Sequence, residues 1–260
     1  MLYIIAFGIS KKTTLAVMES ITQKPRIKAG IEKSIEAFQE KGVESFSKTL
    51  FNELLSKKIK FPLLEYAAVL LLERIPLKDQ LVLSDKIISL ETIGGNTICG
   101  KLLQLRADKK RGESFKKAEE YIIFGNMWYV CDIIGERVFG YCLLTQSEDT
   151  IPYLHKLAKH PNNWMVRTIG VATHYAVKKG LKKKDANTLF LLLLSLSGTT
   201  DFHTKKGIGW AAKTIAKFHP EIIVRHHNAI YENPEVKQWF KTKIKIGLSR
   251  KEKYAAVHTS

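Results

Sequence analysis

The chain has 260 residues, of which 45% are hydrophobic, and this is enough core material for one large globular domain or an elongated array of repeats. Its 42 Lys and Arg residues against 25 Asp and Glu residues give a formal net charge of +17. Because such an imbalance opposes compaction, it indicates a nucleic acid or an anionic membrane surface as partner, while a basic protein without a polyanionic partner remains the alternative.

The first ten residues are apolar, but they match neither a transmembrane span nor a signal peptide. They lack a basic leading region and run directly into Lys11 and Lys12, whereas a span needs roughly 20 apolar residues. We predict that they form a helix or strand packed against the body of the protein. No later run reaches transmembrane length without a charge, so we expect no membrane partner.

Hydrophobic periodicity predicts a succession of helices along the chain. Gly42 marks a break, Pro62 suits the first turn of a helix, Pro76 ends that helix, and residues 109–112 form a charged loop. Asn163 is the predicted N-cap of the helix that follows it. The predicted helices span residues 12–22, 27–40, 43–57, 63–74, 77–90, 127–144, 149–159, 164–178, 186–196, 202–218, 220–231 and 234–246.

The connections between these helices are short, and the chain shows no alternating strand pattern. Helix pairs recur with a period of about 40 residues, which lies in the range of HEAT-like repeats. No linker rich in Pro, Gly or Ser divides the chain. We therefore predict an all-α fold in which residues 1–260 form a single domain, a HEAT-like helical solenoid with a concave basic groove and a flexible tail at 249–260.

One face of the predicted helix 202–218 combines an indole with lysines. At about 100° per residue, one narrow stripe contains Lys206, Trp210, Lys213 and Lys217. The opposite side carries isoleucines and alanines, where an indole used only for packing would be expected. The position of Trp210 therefore indicates contact with a polyanion.

Two earlier helices carry comparable stripes. Trp128 and Asp132 are four residues apart and share one face of their predicted helix. In the helix after Asn163 the stripe consists of Arg167, His174 and Lys178. Each of these stripes is a weak signal when it is considered alone.

The spacing between the stripes makes the set more specific. Arg167 follows Trp128 by 39 positions, and Trp210 follows Arg167 by 43 positions. Both intervals are close to one repeat, so the three stripes are expected to lie side by side along one groove.

Several of these residues also have purely structural interpretations. Asp132 is either a functional carboxylate, a solvated helix residue or the partner of a nearby arginine, and Arg167 could equally form a salt bridge at the rim. His174 is predicted to be a bystander and not an acid or base. Trp164 and Trp239 are predicted to be packing residues.

The sequence predicts neither disulfides nor a metal site. Cys99, Cys131 and Cys142 are odd in number and not in Cys-x-x-Cys spacing, so we interpret them as reduced packing residues. His226 and His227 are adjacent and cannot share a helix face, and no His/Cys cluster has zinc spacing. We expect no metal and no cofactor.

Three segments together resemble the signature blocks of the AlkD-like DNA alkylation repair family. They are residues 128–132 (Trp-Tyr-Val-Cys-Asp), 164–167 (Trp-Met-Val-Arg) and 206–210 (Lys-Gly-Ile-Gly-Trp). The resemblance extends over about residues 120–247 and more weakly over about 43–75, while residues 1–42 lack the usual N-terminal blocks and are taken as divergent N-terminal helices. It implies a fold built from HEAT-like helical repeats.

The resemblance also implies roles for individual residues. Asp132 would be the catalytic carboxylate and Trp128 the indole beside it. Arg167 would bind a backbone phosphate, and Trp210 would lie against the sugar-phosphate of the lesion. Lys213 stands where the family often has an arginine, so the charge is kept but the bidentate fork is lost.

The activity implied by the resemblance is that of a monofunctional DNA glycosylase acting on N3- and N7-alkylated purines in duplex DNA. Because such a base is cationic and leaves as a neutral molecule, one carboxylate suffices, without a metal. Additional phosphate attraction would come from Lys178, Lys206, Lys213 and Lys217.

Two other functions remain open at this stage. The protein could be a non-catalytic DNA-binding HEAT-repeat protein that recognises unusual DNA structures. It could also be a protein-interaction module, although the charge of +17 disfavours this. We expect a cytoplasmic monomer without an obligate protein partner, associated with the nucleoid when it is bound to DNA.

Overall fold

The structure is a computed structural model that describes the backbone of residues 19–258 and the side chains of residues 19–250. Residues 1–10 and most of the predicted helix 12–22 lie outside the described residues. Helices make up about 82% of the structure and strands almost none of it, so the prediction of an all-α fold is confirmed. Within residues 19–258, no helix combines the length and the apolar character that crossing a membrane requires.

The helices follow one another with short connections. Two π-helical turns, Phe51–Leu55 and Glu136–Gly140, continue the helices before them. The helices are α1 (Lys24–Leu50), α2 (Phe61–Arg74), α3 (Leu77–Ile88), α4 (Ile93–Gly125), α5 (Trp128–Gly135), α6 (Tyr141–Thr145), α7 (Ser147–Leu157), α8 (Asn163–Lys178), α9 (Lys183–Ser195), α10 (Phe202–Phe218), α11 (Pro220–Arg225), α12 (His227–Tyr231) and α13 (Gln238–His258).

Two very short strands pair in parallel near the start of the described chain. They are β1 (Ser20–Ile21) and β2 (Lys58–Ile59), in which Ile21 is buried. The prediction of a helix over residues 12–22 is therefore wrong at its C-terminal end. The cause is a backbone pairing with a segment almost 40 positions away, which local periodicity cannot reveal.

The long element α1 reverses direction at Gly42, where φ is 78° and ψ is −166°. A Cβ added at Gly30 would lie 2.9 Å from the side chain of Leu54, although a straight helix would hold these residues roughly 36 Å apart. Gly42 thus separates two helical arms that fold back on each other, and the predicted break is confirmed. Only glycine adopts this positive φ without strain.

The element α4 also folds back on itself. Lys110 has non-helical φ and ψ of −136° and 49°, and Arg106 just before it forms a salt bridge of 3.1 Å with Glu113 just after it. Asn96 and Phe124, at opposite ends of α4, line the same cavity, although a straight helix would separate them by roughly 42 Å. The predicted charged loop is thus a tight turn between two helical arms.

The ends of α8 are held by side-chain and backbone caps. The Oδ1 atom of Asn162 accepts a hydrogen bond from the backbone N–H of Trp164 at 2.9 Å, so the N-cap is Asn162, and the prediction of Asn163 is wrong by one position. At the other end, Gly180 has φ 98°, and the N–H of Leu181 donates to the carbonyl of Ala176 at 3.0 Å. This is a Schellman motif, which ends the helix sharply.

The second half of the chain is a row of packed helices, because α5 contacts α8, α8 contacts α10, and α10 contacts α13. A Cβ added at Gly170 of α8 would lie only 2.2 Å from the backbone of Gly207 in α10. The two helices therefore touch backbone to backbone, which brings α8 side chains within reach of α10. The last helix, α13, runs to His258 and so includes most of the segment predicted to be a tail.

The apolar face of α10 packs into the core as the periodicity predicts. The side of α10 opposite the lysine stripe is fully buried, and its members are Ile208, Ala211, Ala212, Ile215 and Ala216. This burial fixes the rotation of α10 about its axis. It leaves Trp210 and the lysines on the face turned away from the core.

Candidate functional site

A carboxylate–guanidinium pair lies between three helices. Nε and Nη2 of Arg167 in α8 donate to Oδ1 and Oδ2 of Asp132 in α5 at 3.0 and 2.9 Å. Nη1 of Arg167 donates to the backbone carbonyl of His203 in α10 at 3.0 Å. A single guanidinium thus joins α5, α8 and α10, and its planar fork fixes both oxygens of the carboxylate.

The pair is largely shielded from solvent, but not equally on its two sides. The side chain of Arg167 is 7% exposed, whereas that of Asp132 is 19% exposed. Of the interpretations left open for Asp132, the structure shows the one in which it partners an arginine. The carboxylate is therefore held rigidly and keeps a solvent-facing edge, while a phosphate contact by Arg167 remains a prediction.

Trp128 stands one helical turn before Asp132, at the first position of α5. Its side chain is 53% exposed, and its ring makes an edge contact with Tyr129 at a centroid distance of 5.9 Å. An indole exposed to this extent contributes little to the core. Its flat face is available to a partner beside the carboxylate.

Trp210 is half-buried and has a partner that the sequence did not predict. Its ring stacks on His174 of α8 at a centroid distance of 3.8 Å and an interplanar angle of 24°. His174 Nδ1 lies 2.7 Å from Oγ1 of Thr214, and that hydroxyl donates to the Trp210 carbonyl at 2.9 Å. His174 therefore packs against one face of the indole, so the residue predicted to be a bystander is in direct contact with Trp210.

The imidazole of His174 is neutral at physiological pH. Burial lowers its pKa to about 4, and the nearby positive charges of Lys178 and Lys213 act in the same direction. Because it is neutral, the imidazole stacks on the Trp210 ring without placing a positive charge against it. The environment that lowers the pKa is thus set partly by the lysines of the stripes.

The lysines of the two stripes differ in exposure. Lys178 and Lys206 are exposed, and the Nζ atom of Lys206 lies 5.0 Å from the centroid of the Phe202 ring. Lys213 is half-buried, and burial with the charges of Arg250 and Lys243 lowers its pKa. Among the side chains of residues 19–250, no carboxylate forms a salt bridge with Lys178, Lys206 or Lys213. Their charges are therefore available to an anionic ligand.

The last lysine of the predicted stripe, Lys217, is half-buried near the C-terminal end of α10. Its Nζ atom lies 4.9 Å from the centroid of the Phe218 ring. Its positive charge interacts favourably with the negative C-terminal end of the helix dipole of α10.

A second carboxylate, Glu136, lies one turn after Asp132 and was missed by the sequence analysis. It is half-buried, and burial raises the pKa of its carboxyl group, an effect that Arg137 opposes and Asp132 reinforces. The spacing of four residues from Asp132 was the available signal. No described side chain donates a hydrogen bond to it.

Trp164 and Trp239 have the packing surroundings predicted for them. The indole N–H of Trp164 donates to Oδ1 of Asn126 at 2.6 Å, and its ring lies 4.3 Å from that of His203. Trp239 makes an edge contact with Phe240 and packs against the core. Neither indole is presented to solvent as Trp128 is.

The three cysteines are free and buried. Burial raises the pKa of Cys131 and of Cys142 to about 12 in each case, so both stay protonated and inert at neutral pH. Within the part of the chain that the structure describes, no group of three or more His, Cys, Asp and Glu side chains could hold a metal ion.

Comparison with known families assigns the chain to a class of DNA repair enzymes. Residues 59–235, about two thirds of the chain, match the model of a family described as DNA alkylation repair enzyme. The chain is thus an all-α enzyme of alkylation repair whose partner is DNA, and it belongs to this DNA alkylation repair family. No curated protein and no solved structure matches it significantly.

The matched segment contains the geometry described above. The segment begins within β2 and ends before α13. It therefore includes α5, α8 and α10, with the Asp132–Arg167 pair and the indoles of Trp128 and Trp210. The helix α1, which folds back at Gly42, and the basic helix α13 lie outside the matched segment.

Proposed function

We propose that the protein is a monofunctional DNA glycosylase that hydrolyses the N-glycosidic bond of cationic N3- and N7-alkylated purines. The observation that carries the proposal is the rigid, partly exposed carboxylate of Asp132. It follows the exposed Trp128 by one helical turn, and the Arg167 side chain fixes it.

The reaction needs one carboxylate, water and no redox step. The bond between C1′ of the deoxyribose and the purine nitrogen breaks, and its electron pair neutralises the cationic base, which leaves. A water oxygen forms the new bond to C1′, and Asp132 accepts the proton of that water. Asp132 also stabilises the positive charge that develops on the sugar as the base departs.

The indoles and cations would hold the substrate in this reaction. Trp128 and Trp210 present negative π faces, each of which stabilises a nearby positive charge by ~0.5–2 kcal/mol. Lys178, Lys206 and Lys213 would bind backbone phosphates without regard to sequence. Arg167 would keep Asp132 in place while DNA phosphates approach, since an unpaired carboxylate would repel them.

The larger architecture of the proposal follows from the row of packed helices. In the proposed architecture, the chain is one domain, and α5, α8 and α10 are successive layers of a HEAT-like solenoid. The concave basic groove of this solenoid holds duplex DNA. The protein acts there as a cytoplasmic monomer, without a metal or cofactor. Each layer contributes one element of the site: the carboxylate, the guanidinium and the second indole.

The test is release of 7-methylguanine from methylated duplex DNA by an Asp132→Asn variant. The amide keeps the shape of the carboxylate but cannot accept the proton or stabilise the cation, so we expect the rate to fall by about 100-fold or more. Duplex affinity, measured by fluorescence anisotropy, is expected to stay near that of the wild type.

Glu136→Gln is the matched control, because it removes the other carboxylate on the same face of the helix. We expect it to release 7-methylguanine at close to the wild-type rate. Release by Asp132→Asn at the wild-type rate, or complete loss in Glu136→Gln alone, would reject the assignment of Asp132.

A second candidate function is supported by the same salt bridge. A carboxylate whose two oxygens both accept hydrogen bonds from Arg167 is a structural link between helices, which suits a scaffold that binds damaged or distorted DNA without hydrolysis. Methylated DNA that is bound tightly by the wild type but yields no free base would support this function and reject the glycosylase.

A further inference from the structure

Three cations meet where α10 packs against the last helix, α13. The two helices touch closely, because a Cβ added at Gly247 of α13 would lie 2.3 Å from the backbone oxygen of Lys213 in α10. Lys243 precedes Gly247 by one helical turn, and Arg250 follows it by almost one turn, so both share the face of α13 that meets α10. We refer to Lys213, Lys243 and Arg250 as the α10–α13 cation cluster.

The side chain of Lys243 is held against α10 by its apolar stem. A Cβ added at Gly209 would lie 2.9 Å from Cγ and 3.5 Å from Cδ of Lys243. Gly209 and Lys213 therefore meet Lys243 and Gly247 in the same order along both helices, so α10 and α13 run in the same direction. Because Gly209 directly precedes Trp210 in the chain, the Lys243 stem crosses α10 within one residue of this indole of the proposed site.

The α10–α13 cation cluster has no counter-ion of its own. Among the side chains of residues 19–250, no carboxylate forms a salt bridge with any of its three members. Burial lowers the pKa of Lys213, and the charges of Arg250 and Lys243 lower it further, so the three cations are close enough to repel one another. Like charges that are held together destabilise the folded chain, and an anionic ligand would remove this repulsion.

The cluster also continues the positive charge of the proposed site. His174 of α8 lies 2.7 Å from the hydroxyl of Thr214, the residue next to Lys213. Lys178 lies one turn after His174, and it lowers the pKa of His174 together with burial and Lys213. Cations that face the same neighbours are therefore present on α8, on α10 and on α13.

The length of this array fits one strand of a DNA duplex. Packed helices lie 8–10 Å apart, so three successive helices extend over roughly 16–20 Å. A DNA strand carries one phosphate per roughly 3.4 Å of the duplex axis, so the array extends over about five phosphates. A single small anion would contact only one end of the array, whereas a phosphodiester backbone supplies negative charge along all of it.

We infer that the α10–α13 cation cluster binds the phosphodiester backbone of DNA at a distance from the carboxylate site on α5. The helix α13 thereby extends the DNA contact beyond residue 235, where the match to the repair family ends. The inference rests on the proposed function only in taking DNA as the partner along the row of helices. It holds with or without release of a base.

The experiment removes the two charges that α13 contributes. Lys243→Gln/Arg250→Gln keeps most of the length of each side chain, including the stem that packs on Gly209. Fluorescence anisotropy measures its affinity for an undamaged duplex of about 20 base pairs, which is longer than the array, over a range of salt concentrations. We expect the slope of log affinity against log salt to be smaller by about 2, because each lost phosphate contact contributes roughly 0.9.

The matched control is Lys241→Gln/Lys245→Gln. It removes the same two charges from the same helix, but from the side that faces away from Gly247. We expect its slope to stay within about 0.5 of the wild-type slope. A cluster variant that keeps the wild-type slope, or a control that lowers the slope as much as the cluster variant does, would overturn the inference.

A single substitution keeps the test decisive if the double variant unfolds. Arg250 is exposed, so Arg250→Gln preserves the fold, and we expect it to lower the slope by about 0.9. An unchanged slope in this variant would overturn the inference. The duplex is undamaged and no base is released, so a protein that shows these slopes but releases no 7-methylguanine contradicts the proposed function alone.

Discussion

At the scale of single residues, the arginine of the site forms the salt bridge that the sequence left open beside a phosphate contact. Arg167 uses its three nitrogens on Asp132 and on the carbonyl of His203, and little of it faces solvent. Its first physical effect is therefore to hold a carboxylate and to connect three helices. Trp210 likewise has a structural partner in His174, which orients the indole instead of leaving it to rotate freely.

The Asp132–Arg167 pair yields a prediction about stability. Arg167→Ala leaves the Asp132 carboxylate partly buried without its counter-charge. We expect the free energy of unfolding to fall by about 3 kcal/mol. This value is at the low end for a broken buried ion pair, because Asp132 keeps some contact with water. Urea unfolding measures the loss. Asp132→Asn/Arg167→Ala completes a double-mutant cycle, for which we expect a coupling energy of about 1–2 kcal/mol; additive losses would contradict the pairing.

At the scale of the helices, glycines determine how closely the layers approach. Gly170 of α8 and Gly207 of α10 allow backbone contact, and a Cβ at Gly207 would lie 2.7 Å from atoms of Arg167. The same contact positions Arg167 to reach the carbonyl of His203 on α10. The small side chains are thus a condition for the guanidinium to join the helices.

Gly170→Ala tests this close approach. The added methyl group would overlap the Gly207 backbone at 2.2 Å, so α8 and α10 must separate, and we expect a loss of about 3 kcal/mol in stability. Gly112→Ala is the matched control, because Gly112 is helical and a Cβ added there would meet no other part of the protein within 4 Å. We expect this substitution to stabilise the protein by about 0.5–1 kcal/mol. Similar denaturation midpoints for the two variants would show that α8 and α10 do not need the contact.

At the scale of the whole molecule, the chain carries a net charge of +17, and its helices differ in how many carboxylates they contain. The helix α10 carries four lysines and no acidic residue between its first and last positions. By contrast, many lysines of the N-terminal half are paired; Lys33, Lys86 and Lys117, for example, form salt bridges with carboxylates. The lysines of α10 thus lie on a helix that has no acidic residue of its own to pair with them.

This distribution predicts the salt dependence of DNA binding. Replacing Lys178, Lys206 and Lys213 by alanine is expected to lower the slope of log affinity against log salt by about 2–3, because each phosphate contact contributes roughly 0.9. The control replaces Lys28, Lys33 and Lys41 of the N-terminal element, which removes the same three charges. A slope that changes equally in both variants would mean that only net charge matters.

Local patterns in the sequence were sufficient to predict most of the helices and several of their breaks, but not α4 (Ile93–Gly125), which lies where no helix was predicted. The period of 3.6 residues separated the buried face of α10 from its lysine stripe, and Gly42 and Pro62 indicated a turn and a helix start by their own backbone geometry. These features depend on neighbours within a few positions. The family resemblance was also readable from three short segments and agrees with the match over residues 59–235.

Contacts between distant residues were decided only by the tertiary structure. The pairing of β1 with β2, the stacking of His174 on Trp210 and the choice of Asp132 as the partner of Arg167 all join residues at least 35 positions apart. The cavity lined by Asn96 and Phe124 exists only because both ends of α4 meet. Periodicity assigns a side chain to a face of its helix, but the free energy of a contact depends on which other helix packs against that face and at what distance, and that is settled by the packing of the whole core.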